Sequence, residues 1–249
     1  MKSGFNLAFI VRRVPGVDDR VVGVTAANGR SGMIEATLLR PVVRGESIRP
    51  WRLPESGDSI VWTHAPNGHV LDRLPPLAAH WLSPWRRQLV SRADARHARW
   101  WSLFRVDAAR QDRPRVIWAD LGRAPRATML EAGDPCVPIN SCYVAVCPDE
   151  TDALALTALL NSVVAEAWLA ALAEPARGGY RRFLGWTMSL FPLPADWARA
   201  RDTLAPLAAA AMRSVEDPLA LRVALLEETL AAYRLRHSHL APLLAWFGR

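Results

Sequence analysis

The hydrophobic period of this 249-residue chain becomes mainly helical after Pro148, and that change sets the fold class. Before it, most apolar runs are short and cut by turn pairs, as strands are; after it, apolar residues recur every three or four positions, as on helices. Residues 5–11 (FNLAFIV) and 20–25 (RVVGVT) read as strands joined by a Pro15-Gly16 turn with Asp18 and Asp19. Asn28-Gly29 turns the chain into a third strand at 33–39. Residues 40–51 are extended with a turn at Arg44-Gly45. Residues 58–64, 115–119 and 141–146 read as further strands, and Pro66-Asn67-Gly68 as a turn.

Helical spacing first shows from Pro75, where Leu77, Trp81 and Trp85 recur every four residues and Pro84 must break the pattern. After Pro148, Asp149 or Thr151 can cap a helix carrying Leu156, Leu159, Val163, Ala167 and Trp168. Asp196 can cap a second helix with Leu204, Leu207 and Met212 inward. Asp217-Pro218 can start a third, carrying Leu219, Val223, Leu226, Leu230 and Tyr233. The expected architecture is α+β: a mixed, largely antiparallel sheet in the N-terminal part and a helical C-terminal part. Residues 1–195 are expected to form one domain, and 196–249 a helical segment packing on it or on a partner.

One stretch has the chemistry of a contact surface. Residues 176–194 (ARGGYRRFLGWTMSLFPLP) bring together Arg177, Arg181 and Arg182, the Gly178-Gly179 pair, and the rings of Tyr180, Phe183 and Trp186. Paired glycines admit positive φ and a close approach by another molecule. Guanidinium forks suit phosphate oxygens or the acceptor edge of guanine, and flat rings can stack on bases. The bland alternative is a loop of solvated arginines with rings capping the core. Leu184, Leu190, Phe191 and the Pro192-Leu193-Pro194 end read as core and turn, which narrows the contact segment to 177–182.

Charge is unevenly spread. The formal net charge is +7, and residues 40–126 hold 16 Arg against 8 Asp and Glu, the arrangement of a face for a polyanion. Arg44, Arg49 and Arg52 surround Trp51, and Arg86, Arg87, Arg92, Arg96 and Arg99 precede Trp100-Trp101 on a presumed helix. Basic groups interleaved with rings are the composition of nucleic-acid contact. Solvated helix faces over core tryptophans have the same composition.

Catalytic signals are thin. The three cysteines (Cys136, Cys142, Cys147) form no C-x-x-C and read as free thiols. No phosphate-binding glycine-lysine loop or nucleophile elbow is present. Lys2 is the only lysine, so the carboxylate-lysine centre of common metal-dependent nucleases is lacking. No signal pattern or apolar run of spanning length is read, and a cytosolic protein is expected.

Taken in order, these blocks resemble the target-recognition region of adenine-specific DNA methyltransferases of the TaqI-like and type IIG kind. Residues 1–11 (MKSGFNLAFIV) resemble that family's T-G-x-N-x-A-F block, with Ser3 where Thr is usual. Residues 39–48 (LRPVVRGESI) resemble its P-x-x-R-G-x-D-I block, with Ser47 where Asp is expected. The segments RVIWAD, VPINSCY, ALLNSVVAEAWL and 176–194 then follow in the family's order. The family's glycine loop for S-adenosylmethionine and its N-P-P-Y tetrapeptide are not read here; the one Pro-Pro pair is Pro75-Pro76, without the flanking residues.

The resemblance implies a DNA target-recognition domain over residues 1–195, without catalytic residues or a metal or cofactor site of its own. It would work with a methyltransferase catalytic domain or subunit that carries S-adenosylmethionine and rotates the target adenine out of the stack. The expected partners are double-stranded DNA and that catalytic domain, and no membrane. The candidate DNA-binding residues are Arg44, Asn140, Tyr143, Arg177, Gly178, Gly179, Tyr180, Arg181 and Arg182. Asn140 can bond adenine bidentately or cap the strand that follows it. The alternatives are a diverged stand-alone methyltransferase or nuclease, a protein-interaction scaffold, and a decayed fragment of such an enzyme.

Overall fold

Two units share the chain in interleaved segments. In the computed structural model, which describes residues 1–18, 20–214 and 219–246, the first unit comprises residues 1–43, 55–111 and 134–140. The second comprises residues 44–54, 112–133 and 141–249. The fold is α+β as expected, with mostly antiparallel strands early and helices late.

Numbered along the chain, the first unit contains a helical turn α1 (Asn6–Phe9), β1 (Ile10–Asp18), β2 (Val21–Ala26), β3 (Ser31–Glu35), β4 (Leu39–Val43), β5 (Asp58–Val61), α2 (Pro76–Leu82), α3 (Arg86–Val90) and β9 (Val137–Pro138). The sheet order is β3-β2-β1-β5-β4-β9, antiparallel except for the parallel β4–β9 pair. Phe9, Val11, Ile34, Ile60 and Trp81 fill its core.

Two local expectations fail here for identifiable reasons. Residues 6–9 coil instead of extending: the Ser3 hydroxyl donates to Asn6 Oδ1 at 2.5 Å and accepts from the Phe5 amide at 3.2 Å, bending the chain locally. Pro15-Gly16 lies inside β1, where the register with β2 shifts between Val14 and Asp18; Asp19 lies outside the described residues. The Asn28-Gly29 turn forms as expected, with Gly29 at φ 84°.

Helix α2 has no cap of its own sequence. Its first turn is satisfied by Glu35 from β3, whose two carboxylate oxygens accept from the Leu77 and Ala78 amides at 2.8 and 3.0 Å. Trp81 and Trp85 meet edge to face, 5.2 Å apart, and a 3-10 turn at Ser83–Trp85 breaks the helix at Pro84. The basic run beyond it is no long helix: α3 ends at Val90, and residues 93–95 form a separate 3-10 turn.

His64 is buried in this unit, its ring centroid 5.6 Å from that of Trp62, and burial pulls its pKa down from 6.5 to about 4. The folded-state value lies below the unfolded one, so the unfolded chain binds the proton more readily. Its contribution to stability is therefore complete above pH 6.5 and is lost as pH falls toward 4, by up to about 3 kcal/mol. In urea titrations between pH 7 and 4.5, His64→Phe is expected to lose less stability than the wild type. Parallel losses would remove His64 as the cause.

The second unit contains β6 (Arg115–Ala119), β7 (Leu121–Gly122), β8 (Ala127–Leu130), β10 (Cys142–Val146), β11 (Glu174–Pro175) and β12 (Arg181–Arg182). Its helices are α4 (Glu150–Leu160), α5 (Val163–Leu172), α6 (Gly185–Ser189), α7 (Trp197–Arg213), α8 (Leu219–Ala232) and α9 (His237–Trp246). A sheet β10-β6-β8, with β6 and β8 buried, packs on α4, and α4 packs on α7. Asp149 caps α4 and Asp196 caps α7, each accepting from a backbone amide three residues on.

The single helix expected through Val163 and Trp168 is two. Ser162 starts α5 by accepting from the Ala165 amide, and Trp168 is 43% exposed rather than inward. The Asp217-Pro218 start expected for α8 lies outside the described residues. Cys142 and Cys147 are buried, and burial pushes their thiols up to about 12 and about 11, so neither is a ready nucleophile. Among the described residues, no single helix is long and apolar enough to cross a membrane.

The Arg-Gly-Glu-Ser block has a structural explanation. Gly45 lies where an added Cβ would come within 2.2 Å of the Ser141 carbonyl oxygen, and its amide donates to Ser141 Oγ at 2.9 Å. Ser47 closes the turn, its amide and its hydroxyl both donating to the Arg44 carbonyl at 3.0 Å. Gly45→Ala should destabilise the protein by about 1–3 kcal/mol, since the neighbour that must yield is backbone. A thermal melt unchanged from wild type would show that the two segments separate freely.

Candidate nucleic-acid interface

Residues 174–182 form a small hairpin. Strand β12 pairs β11 on one side (Glu174↔Arg182, Pro175↔Arg181) and β7 on the other (Arg181↔Gly122, Arg182↔Leu121). The tip is Arg177-Gly178-Gly179-Tyr180, closed by a 2.7 Å bond from the Ala176 amide to the Tyr180 carbonyl. Gly178 and Gly179 sit at φ 77° and 76°, a conformation in which side chains are strained. Nothing lies within 4 Å of a Cβ placed on Gly179, so the backbone there is bare toward the outside.

The side chains sort by strand alternation. Arg182 projects outward, in register with the exposed Glu174 and Leu121. Arg181 is half-buried and reaches the Ala173 carbonyl at 3.3 Å, which holds the base of the hairpin. Arg177 and Tyr180 are exposed at the tip. Arg123, which follows β7, lies with its guanidinium 5.7 Å from the Tyr180 ring centre. The tip thus presents cations around one ring, with two glycines that cover nothing.

Behind the hairpin the anchoring is firm. Phe183, just past the contact segment, is fully buried, the core position that the alternative reading of these rings gave. Its amide donates to the Asp120 carbonyl at 2.8 Å, and its own carbonyl accepts from the Trp118 indole at 2.9 Å. Tyr143 stacks on Trp118, centroids 5.9 Å apart and planes 13° apart, and a Cβ placed on Gly185 would lie 3.2 Å from its ring. Burial pushes the Asp120 carboxyl above its ordinary range, although Arg182 pulls it the other way.

The structure brings residues 177–182 together. Arg44 and Tyr143 belong to the same unit, both half-buried, while Asn140 belongs to the first unit, exposed at a turn. Arg123 was missed because nothing local marks it: register with Arg181, 59 residues away along the chain, brings Gly122 and hence Arg123 to the hairpin. Trp186, Leu190 and Leu193 are about half exposed, although Leu190 and Leu193 were expected in core and turn.

The other basic clusters are differently employed. Arg92 is buried and donates to four backbone carbonyls. Trp100 and Trp101 are half-buried, packed edge to face on each other, with Arg86 and Arg99 over their rings. Arg49 and Arg52 turn back to backbone carbonyls, Arg49 to Glu46 and Ile48, Arg52 to Ser214. Among the described residues, no group of three or more His, Cys, Asp or Glu is placed to hold a metal ion.

No protein-family model matches the chain, and no curated protein matches it. Among solved structures the chain is similar to the Type IIL restriction-modification enzyme MmeI in complex with DNA, at 13% sequence identity and a TM-score of 0.47. The alignment covers 86% of this chain and 29% of that one, so the chain spans less than a third of that enzyme's length.

Proposed function

We propose that the protein is a DNA target-recognition module of an adenine-specific DNA methyltransferase, and that the hairpin at residues 174–182 is its contact with the duplex. S-adenosylmethionine and catalysis come from a domain or subunit outside these residues. The single observation carrying the reading is the hairpin tip, where Arg177, Tyr180 and Arg182 stand exposed beside Arg123 and two left-handed glycines. Guanidiniums on phosphates would set position and affinity, and a smaller set of contacts would read bases. The ordered resemblance to such recognition regions supports the same reading.

The test is fluorescence anisotropy of labelled duplexes over a range of salt concentrations. Binding that weakens with salt supports the reading, and no affinity for any duplex at low salt rejects it. A second reading, a protein-interaction scaffold, rests on α8, whose Leu219 and Val223 are 74% and 44% exposed. Recovery of a methyltransferase subunit in a pull-down, with DNA titrations blank, would favour it.

A further inference from the structure

Between Arg86 and Arg99 the first unit carries a basic knob built around one buried group. Leu89, Arg92 and Ala95 are the buried residues of this segment, three positions apart, and all its other residues are exposed. The Arg92 guanidinium gathers the carbonyls of Leu89, Trp100 and Ser102, so the chain from 89 to 102 folds back around it. Two turns complete the frame, with the Ala98 amide donating to the Ala95 carbonyl at 3.2 Å and the Ser102 amide to the Arg99 carbonyl at 2.9 Å. The outer side chains therefore stand on a fixed backbone that a ligand need not order.

Charge on the knob is of one sign. Its single acid, Asp94, is bonded by Lys2 at 2.7 Å and held below the usual carboxylate range by that bond, with the charges of Arg105 and Arg92 adding to it. Arg99 is paired with Asp72 at 2.8 Å. Arg86, Arg87 and Arg96 are exposed, and among the described residues their guanidiniums have no carboxylate partner and donate no hydrogen bond. Arg86 lies 5.6 Å from the Trp100 ring centre, a contact with the ring that leaves its N–H groups to another acceptor.

These donors stand on a convex surface and converge on no single point, which suits a row of phosphates better than one small anion. Val90 is the one large apolar side chain exposed in the segment, so insertion into a membrane would bury little. Helix α3 has five residues, too short to lie along a major groove and read base edges.

We propose that Arg86, Arg87 and Arg96 form a second contact with double-stranded DNA, made to the phosphate backbone without regard to sequence. It rests on the reading of the protein as DNA-binding, but on none of the hairpin's residues. Such contacts add affinity to every duplex equally and leave sequence reading to other residues.

The test is fluorescence anisotropy of the full chain with two labelled duplexes of unrelated sequence, over a range of salt concentrations. The Arg86→Ala, Arg87→Ala, Arg96→Ala triple variant is expected to bind both duplexes more weakly by the same factor, about 50-fold or more near 0.1 M salt. Its slope of log K against log salt should be shallower by about 2–3, from roughly −0.9 per phosphate contact. All three positions are exposed, so the melting temperature should not move. The corresponding triple lysine variant keeps the charges and should retain affinity within about 3-fold, since lysine serves phosphate as a point charge. Unchanged affinity and slope in the triple alanine variant, or a loss confined to one duplex, would overturn the proposal. The Arg177→Ala, Arg182→Ala variant in the same assay separates the two contacts. A loss in that variant alone overturns this proposal and leaves the hairpin reading standing; a loss in the triple variant alone does the reverse. Lost binding to anionic phospholipid vesicles, with duplex binding unchanged, would give the surface to a membrane and overturn the proposal.

Discussion

Arg92→Met should lower the stability of the protein by about 3–5 kcal/mol, read from urea denaturation at neutral pH. The guanidinium donates to the carbonyls of Leu89 (2.9 Å), Ser102 (3.0 Å), Trp100 (2.7 Å) and Ser3, and lies over the rings of Phe9 and Phe104. Burial draws its pKa down to about 10, so it remains charged at neutral pH. Methionine keeps the stem's packing and removes every donor, leaving the carbonyls without that partner in a site closed to water. Each such loss costs about 1–3 kcal/mol before relaxation. Arg92→Lys keeps the charge, but its single ammonium cannot span four acceptors, so only part of the loss should be recovered. A loss below about 1 kcal/mol for Arg92→Met would mean that water replaces the guanidinium without strain.

The second large effect concerns the hairpin. If Arg123, Arg177, Arg181 and Arg182 all neutralise phosphates, log K should fall against log salt with a slope of about −3 to −4, from roughly −0.9 per contact. The Arg177→Ala, Arg182→Ala double variant should then reduce that slope by about 2 and lower affinity by about 100-fold near 0.1 M salt. Both side chains are exposed, so the melting temperature should not move. Arg181→Ala is more informative about reading. Should that guanidinium leave Ala173 and address a guanine, its loss would cost about 1–3 kcal/mol at one sequence position. A uniform loss across sequences would assign Arg181 to phosphate. Binding by the double variant equal to wild type, with an unchanged slope, would take the hairpin out of the interface.

Much of the element order was legible because it rests on local chemistry. The glycine of Asn28-Gly29, the Asp149 and Asp196 caps and the break at Pro84 act within three or four residues, and each formed as read. The glycine pair at 178–179 takes the positive φ that its composition permits. Where distant residues decide, the local reading failed. Residues 86–99 are basic and read as one helix, yet Arg92 turns inward because carbonyls from residues 3, 89, 100 and 102 converge on it. For Phe183 the residues alone left stacking and core both open; its position just after β12 and its bond to Asp120 decide for the core.

By itself the sequence determined the α+β class, the Asp149 and Asp196 caps and the Asn28-Gly29 turn, and it marked 177–182 as a candidate contact segment. Propensity, capping and backbone steric limits act over a few residues, so they are written locally. Tertiary structure alone decided which arginines face outward. A guanidinium is buried or exposed according to the acceptors brought to it from elsewhere, as Arg92 was, or the strand register that brings it to a site, as with Arg123 beside Tyr180. Neither is a property of the residues next to it.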